Sequence, residues 1–255
     1  MRKIDLNSDL GESFGAYTIG MDAEVLAQIT SANIACGFHA GDPLVMARTV
    51  ALARAANVSI GAHPGFPDLA GFGRRAMKCS PAEIKAYVQY QIGALQGFAV
   101  EQGMQLQHVK AHGALYNMAV KDLSIGEAIA TAVAAVDREL ILLCPYGSAM
   151  AKAGEKAGLR VACEVFADRA YQADGSLVPR TQAGAIIHDR AEAVQRTVRM
   201  VLEGSVTAIS GEEIPIRADS VCVHGDNPEA LAFTRDIHRA LEDAGVTVAP
   251  FASFL

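Results

Sequence analysis

The sequence predicts an α/β fold, an irregular (β/α) barrel of about seven parallel strands with one small hairpin insertion. Short runs rich in β-branched residues alternate with longer helical segments along the 255 residues, which is typical of a parallel sheet covered by helices. Seven or eight such units match the size of a barrel, and a doubly wound open sheet is the competing architecture. Because no repeat, linker or low-complexity tract divides the chain, we expect one domain over residues 1–255.

Eight strands are predicted from short apolar runs that glycine, proline or polar residues bound. They cover residues 3–7, 31–36, 58–62, 108–111, 140–143, 159–165, 220–223 and 246–249. Two β-like pieces around Gly211, within residues 205–217, predict a hairpin before the seventh strand. Residues 168–184 contain an Asp-Gly turn signal and are expected to form a long loop after the sixth strand.

Helices are predicted between these strands from their capping residues. Ser80, Pro81 and Glu83 form a capping-box signature, and apolar residues then recur every three or four positions as one buried stripe. Other starts and stops carry similar signals: Asp42-Pro43 and Asn227-Pro228 open helices, and Gly103, Gly158 and Gly245 end them.

Composition argues against several kinds of partner. The net charge is −6, with 28 acidic and 22 basic residues, so binding to nucleic acid is not expected. No apolar run approaches the roughly 20 residues that span a bilayer, and the polar N-terminus does not resemble a signal peptide, so no membrane partner is expected. Five widely spaced cysteines without a C-x-x-C pair indicate a reduced, cytoplasmic chain.

Polar side chains with catalytic potential follow the predicted strands. The carboxyl ends of all strands in a parallel barrel meet at one rim, which carries the active site. Four histidines at four strand ends give the strongest signal, because histidine titrates near neutral pH and is the commonest metal ligand. The residues expected at this rim are Asn7, Asp9, Glu12, His39, Asp42, His63, Lys110, His112, Glu164, Asp168, Arg169, His224 and Asp226.

Plainer roles compete with this interpretation. Asp42 precedes a proline and is expected to cap a helix, and Asp226 has the same explanation. Asp5, Asn7 and Asp9 with Glu12 could bind a divalent cation together with His63 or His112. The strand residues of this cluster could instead form a polar plug at the barrel mouth. The sequence contains no Walker phosphate loop, dinucleotide-binding G-x-G-x-x-G, G-x-S-x-G elbow or H-E-x-x-H helix, so no self-contained ATP or nicotinamide site is predicted.

Six motifs in order resemble the LamB/YcsF family. They are IDLNSDLGESFG at 4–15, NIACGFHAGDP at 33–43, GAHPGFPDLAGFGRR at 61–75, HGALYN at 112–117, EVFADRAY at 164–171 and VHGDNP at 223–228. The resemblance covers nearly the whole chain. One position departs from the family pattern, because Ala111 replaces the usual proline before HGALYN.

The resemblance implies a barrel of the glycoside hydrolase/deacetylase kind. It also implies an ATP-dependent 5-oxoprolinase, which opens 5-oxo-L-proline to L-glutamate and needs two partner subunits, B and C. ATP would be consumed by the complex, and a divalent metal is possible. The alternatives are a metal-dependent deacetylase acting on an amide or carbohydrate, and a non-catalytic component that delivers substrate to its partners.

Ring opening of a lactam needs a general base, a general acid and a group that stabilises anionic oxygen. The catalytic candidates are Asp9, His63, His112 and Lys110, of which Asp9, His63 and His112 are also the metal-ligand candidates. A cation should bind the substrate carboxylate. The candidates for that role are Arg75, Arg169 and Arg180, and the other substrate-binding candidates are Asn7, Glu12, His39, His224 and Asp226.

Overall fold

The computed structural model of the chain describes residues 2–225 and 227–255. In chain order its elements are β1 (Lys3–Leu10), α1 (Asp22–Leu26), β2 (Ser31–Ala35), α2 (Pro43–Ala55), β3 (Ser59–His63), α3 (Pro81–Glu101), β4 (Leu106–Val109), α4 (Gly113–Lys121), α5 (Leu123–Val136), β5 (Ile141–Pro145), α6 (Ala149–Lys156), β6 (Val161–Phe166), α7 (Arg190–Glu203), β7 (Ser205–Thr207), β8 (Glu213–Pro215), β9 (Ser220–Cys222), α8 (Pro228–Asp243) and β10 (Thr247–Val248).

Seven parallel strands close into a barrel. Strands β1 to β6 pair in sequence, β9 pairs with β6, and β9 then pairs with β1 to complete the ring. The register shifts between β3 and β4 at Ile60 and Gly61, so the barrel is irregular. The predicted irregular barrel is confirmed, and the competing open sheet is wrong, because β9 hydrogen-bonds to both β6 and β1.

Two elements lie outside the ring. Strands β7 and β8 form the predicted antiparallel hairpin before β9. Strand β10 is shorter than the predicted residues 246–249 and pairs with Lys3 and Ile4 at the amino end of β1. The last strand therefore extends the sheet at the amino-terminal end of the barrel and adds nothing to the opposite rim.

The helix caps form as the sequence predicts. Ser80 and Glu83 make a reciprocal capping box at the start of α3. The carboxylate of Asp42 accepts hydrogen bonds from the backbone N–H groups of Leu44 and Val45, and the Asn227 side chain accepts one from Ala230. These bonds satisfy N–H groups that have no partner inside a helix.

The C-terminal segment closes the amino-terminal end of the barrel. Phe251 is fully buried and packs on Ile141, Leu143 and Ala162, while its ring lies 5.1 Å from that of His108. Above this apolar floor the barrel interior is polar. The strand residues that point outward from the barrel pack against the surrounding helices and form the main hydrophobic core.

The structure also describes three features that the sequence analysis considered: the loop after β6, the cysteines and the apolar character of the helices. The loop after β6 runs from residue 167 to residue 189, with isolated bridges joining Arg169 to Ile186 and Tyr171 to Leu177. All five cysteines are free, and Cys79 is the least buried of them. Across residues 2–225 and 227–255, no helix combines the length and the apolar character that a membrane span requires.

Candidate active site

Strand β1 supplies the polar residues inside the barrel. Asn7 donates to the Ser220 hydroxyl at 2.7 Å, and Asn33 on β2 donates to the side-chain oxygens of both Asn7 and Asp9 at 2.8 Å. Since side chains alternate along a strand, the inward positions of β1 form one polar column that ends in Asp9 at the rim. The column orients the Asp9 carboxylate from below. The predicted strand end at Asn7 falls short, because β1 continues to Leu10.

A buried ion-pair network lies behind Asp9. The Lys110 ammonium, whose side chain is 4% exposed, donates to Asp9 Oδ1 at 3.0 Å and pairs with Glu164 Oε2 at 2.8 Å. Tyr116 donates to the other oxygen of Glu164 at 2.7 Å. Burial alone would lower the pKa of Lys110, but Asp9, Cys222 and Glu164 together raise it well above its ordinary value. Lys110 is therefore a permanent cation.

Two histidines face each other above Asp9. His63 Nδ1 donates to the Lys110 carbonyl at 2.7 Å, and His112 Nε2 donates to the Phe72 carbonyl at 2.9 Å. Because a carbonyl oxygen can only accept, these bonds assign a hydrogen to each outer nitrogen. The remaining nitrogens, His63 Nε2 and His112 Nδ1, lie 3.0 Å apart. Two lone pairs cannot face at this distance, so the two nitrogens must share a proton or bind one metal ion beside them.

Burial and Asp9 act differently on these two rings. Burial would lower the pKa of His63, but the Asp9 carboxylate, 3.3 Å from Nε2, outweighs it and raises this pKa. Burial, followed by the neighbouring His39 and His63, lowers the pKa of His112 to about 3. The pKa of Asp9 lies well below its usual value despite burial, because His63 and Lys110 stabilise the carboxylate. The shared proton, where it is present, belongs to His63.

His39 and Glu12 complete the cluster. The His39 ring stacks on the His112 ring with centroids 3.6 Å apart, and its Nε2 lies 3.3 Å from Glu12 Oε1. The same Glu12 oxygen is 3.5 Å from His112 Nδ1. Burial and the Asp9 carboxylate raise the pKa of Glu12. His39 Nδ1 is buried and has no hydrogen-bond partner in the described part of the chain.

The cluster has the chemistry of a metal site. Glu12, His39, His63 and His112 each offer one ligand atom, and these atoms lie within 4.8 Å of one another. Backbone carbonyls hold the outer N–H groups of His63 and His112, as they commonly do for histidines that bind metal. Imidazole and carboxylate donors suit divalent transition metals. Two of the predicted ligands, His63 and His112, belong to this donor set, while Asp9 lies beside it.

Two cavities open at this rim, and the smaller one adjoins the cluster. The smaller, of about 160 Å³, is lined by Asp9, Glu12, Phe72, Arg74, His112 and His224 among others. The larger, of about 600 Å³, shares Arg74 and His224 with it and also includes Asp168, Arg180 and Arg190. Arg74 and His224 thus lie on the walls of both cavities. Within the described residues, neither wall includes Lys110.

The structure separates the predicted arginines. Arg75 pairs with Asp68, and its side chain is 69% exposed. Arg169 donates to the carbonyls of Val178 and Ala185, so it ties together the loop after β6. Among the described residues, neither Arg75 nor Arg169 lines either of these two cavities, whereas Arg180 lines the larger one. The predicted carboxylate contacts of Arg75 and Arg169 therefore have no support in the geometry.

The other predicted substrate residues are distributed differently. His224 lines both cavities, and its Nε2 lies 3.8 Å from Asp168 Oδ2. Asn7 is buried inside the barrel, where its side-chain oxygen accepts a hydrogen bond from the Lys110 ammonium. Asp226 lies outside the described residues. Arg74 and Phe72 were not expected at the site, and the only signal for Arg74 was the arginine pair at the end of the GFGRR motif.

A closed parallel barrel with histidines and carboxylates gathered at the carboxyl ends of its strands is the architecture of a β/α-barrel enzyme. The sequence model of the LamB/YcsF family matches residues 4–255, and the chain belongs to that family. It is 59% identical to the 5-oxoprolinase A subunit of Clostridium beijerinckii over 98% of both chains. The identity to the 5-oxoprolinase A subunit of Pyrococcus abyssi is 55% over 99% of both chains.

A solved structure gives the same relationship. The crystal structure of a lactam utilization protein from Thermus thermophilus matches with a TM-score of 0.93 at 50% sequence identity. The match covers 97% of this chain and 99% of that one. The family resemblance inferred from the six motifs is therefore confirmed.

Proposed function

We propose that this chain is the A subunit of an ATP-dependent 5-oxoprolinase and carries out the hydrolytic opening of 5-oxo-L-proline to L-glutamate. The observation that carries the proposal is the placement of Asp9, Glu12 and His112 on the wall of one small cavity, with His63 buried against Asp9 and His112. Full-length relatives that bear the name of a 5-oxoprolinase support the choice of substrate. Because those relatives are named as one of several subunits, they also support partners, which we propose are subunits B and C, acting together in the cytoplasm.

The reaction explains why ATP is needed. A five-membered lactam is an unreactive amide, and its ring form is favoured near neutral pH. Transfer of a phosphoryl group from ATP to the amide oxygen gives an imidate-like species that water can attack. This attack, followed by cleavage of the C–N bond, gives an acyl phosphate. A second water molecule hydrolyses the acyl phosphate to glutamate and inorganic phosphate, so the whole reaction consumes one ATP and two water molecules and also releases ADP. Since the sequence has no phosphate loop of its own, we assign ATP to the complex and its handling to the partners.

The residues at the small cavity provide acid–base groups for the water attack. Asp9 and Glu12 are the two cluster carboxylates on its wall, with side chains 24% and 15% exposed. In this proposal Asp9, which lies beside the metal donor set, takes a proton from the attacking water and supplies it to the departing ring nitrogen. Lys110 and Asn33 hold Asp9 in place, while His63 and His112 connect Asp9 to Glu12.

A divalent cation is the cofactor that we propose for the same site. Glu12, His39, His63 and His112 are the residues that would hold it, and it supplies Lewis-acid chemistry when bound. This donor set also favours a second function, a metal-dependent deacetylase or amide hydrolase. That function predicts turnover of an acetylated substrate by the chain alone, without ATP and without partners.

The test is glutamate release from 5-oxo-L-proline by the chain reconstituted with its two partner subunits and ATP. We expect Asp9→Asn and His112→Ala to lower kcat by roughly 100-fold or more, while His238→Ala, on the outer helix α8, retains wild-type turnover. Wild-type rates in both site variants would contradict the proposal. Variants that change only substrate affinity, with unchanged single-turnover rates, would instead indicate a delivery component.

A further inference from the structure

The substrate carboxylate needs a cation, and the small cavity offers few. Its walls include the carboxylates of Asp9, Glu12 and Asp22. The Lys110 ammonium lies behind Asp9, where its contacts are already made with Asn7, Asp9 and Glu164. Arg74 is the one arginine or lysine on this wall among the described residues.

Arg74 is placed at the junction of the two cavities. It lines both of them, so an anion beside its guanidinium can extend from the small cavity toward the larger one. In the described part of the chain the guanidinium makes no hydrogen bond or ion pair, and its contact is with the Phe72 ring, 5.1 Å from the centroid. No described residue therefore occupies its N–H donors.

Phe72 links Arg74 to the histidine cluster. Its ring supports the guanidinium, and its carbonyl accepts the hydrogen bond from His112 Nε2 at 2.9 Å. The backbone here is held in the left-handed region, with φ of +54° at Phe72 and +62° at Gly73. Ala114 donates to the Gly73 carbonyl at 2.9 Å and ties this turn to α4. The turn therefore fixes Arg74 relative to the reacting groups.

The other arginines near the site are occupied or remote. Arg75 pairs with Asp68 on the exposed side of the same turn. Arg169 donates to two carbonyls of its own loop. Arg180 and Arg190 line the larger cavity only, and Arg190 also pairs with Asp236. Of these arginines, Arg74 is the one that lines the small cavity.

We infer that Arg74 binds the carboxylate of the lactam and selects 5-oxo-L-proline over lactams that lack this group, an inference that rests on the proposed function. A guanidinium presents two parallel N–H donors to a carboxylate, which gives direction as well as affinity. Binding at the cavity junction directs the lactam ring toward Asp9, Glu12 and His112. Arg74 is accordingly a specificity-determining residue for the ring-opening reaction.

The test compares Arg74→Ala and Arg74→Lys with the surface control Arg54→Ala in the reconstituted complex. We expect Arg74→Ala to raise KM for 5-oxo-L-proline by roughly 10- to 100-fold, the range of a lost charged hydrogen-bond pair, with a much smaller change in kcat. Arg74→Lys keeps the charge but loses the planar guanidinium, so its KM should lie between that of the wild type and that of Arg74→Ala. Arg54→Ala should retain the wild-type KM.

Direct binding to the full-length chain supplies a second readout. By calorimetry, Arg74→Ala should weaken binding of 5-oxo-L-proline but leave binding of 2-pyrrolidinone, the same ring without a carboxylate, unchanged. A wild-type KM in Arg74→Ala, equal losses for both ligands, or an equal rise of KM in Arg75→Ala would overturn the inference alone. Absence of glutamate release by the wild-type complex would overturn the proposed function as well.

Discussion

His63 and His112 point one ring nitrogen at each other across 3.0 Å, while their other nitrogens donate to the carbonyls of Lys110 and Phe72. Because the two carbonyls accept from the outer N–H groups, His63 Nε2 and His112 Nδ1 can bind one cation, either a proton or a metal ion. The Asp9 carboxylate lies 3.3 Å from His63 Nε2, and the Glu12 carboxylate lies 3.5 Å from His112 Nδ1. The rim therefore brings together residues from β1, β3 and the start of α4, which are far apart in sequence.

Metal binding is the first prediction. The purified chain should bind a divalent transition metal such as Zn²⁺ or Mn²⁺, and His63→Ala and His112→Ala should each weaken binding by about 100-fold or more, because each removes a ligand nitrogen. Isothermal titration calorimetry and elemental analysis measure this directly. His238→Ala, a histidine on helix α8, should bind as the wild type does. A wild-type chain that binds no metal would leave a proton as the shared cation.

The buried ion-pair network should be important for stability. Lys110→Ala leaves Asp9 and Glu164 without their common cation, and we expect it to lower the free energy of unfolding by about 3–5 kcal/mol. Urea denaturation followed by circular dichroism provides the measurement. Lys156→Ala removes an ion pair with Glu127 whose lysine is 73% exposed, so it should cost less than about 1 kcal/mol. Equal effects of the two variants would contradict the buried network.

Asp5 should make stability depend on pH. Burial raises the pKa of its carboxyl to about 6, although hydroxyl hydrogen bonds from Ser220, Ser31 and Thr30 oppose the shift. The folded state therefore favours the protonated form, and this contribution is full below about pH 4 and is lost as the pH rises through 6. Relative to the wild type, Asp5→Asn should gain up to about 3 kcal/mol of unfolding free energy between pH 4 and pH 7.

Unfolding curves across this pH range test the Asp5 prediction. Asp243→Asn, at the exposed end of α8, controls for the loss of one carboxylate elsewhere on the chain. A difference between Asp5→Asn and the wild type that stays constant with pH would show that Asp5 is not protonated in the folded barrel.

Gly73 should be intolerant of a side chain. Its φ is +62°, and a Cβ there would lie 2.7 Å from the His39 Cβ and 2.8 Å from the His112 Cδ2. Gly73→Ala should therefore displace His112 and lower glutamate release by roughly 10- to 100-fold. Gly97→Ala is the matched control, since a Cβ on that face of α3 meets no other atom within 4 Å. It should retain activity and add about 0.5–1 kcal/mol of stability. A fully active Gly73→Ala variant would contradict this account of the turn.

Most of the fold could be predicted from local signals. The capping residues at Ser80, Asp42 and Asn227 act on backbone groups within three residues, so their pattern is readable without knowledge of the fold. The end of β1 was missed because Asn7 and Asp9 are polar, although they point into a polar barrel interior. Hydrophobic periodicity does not detect a strand whose inward face is hydrophilic.

Some residues of the site were predicted from the sequence and others were not. His63, His112 and Asp9 were expected together because each follows a strand, and parallel strands end at one rim. Glu12 was expected both in a cation-binding cluster with the acidic residues of β1 and near the substrate. His39 was assigned only to the substrate, because loop residues can approach a rim from any direction. Arg74 was missed and Arg75 was chosen, since adjacent residues of a turn point to opposite sides and only one of them can line the cavity.

The sequence by itself determined the order of strands and helices, their caps and the placing of histidines after strands, because these features depend on neighbours along the chain. Only the tertiary structure decided that β9 closes the ring on β1, that His63 and His112 share one cation site, and that Arg74 lies on the cavity wall. These depend on distances between residues far apart in sequence, which only the packing of the whole barrel sets.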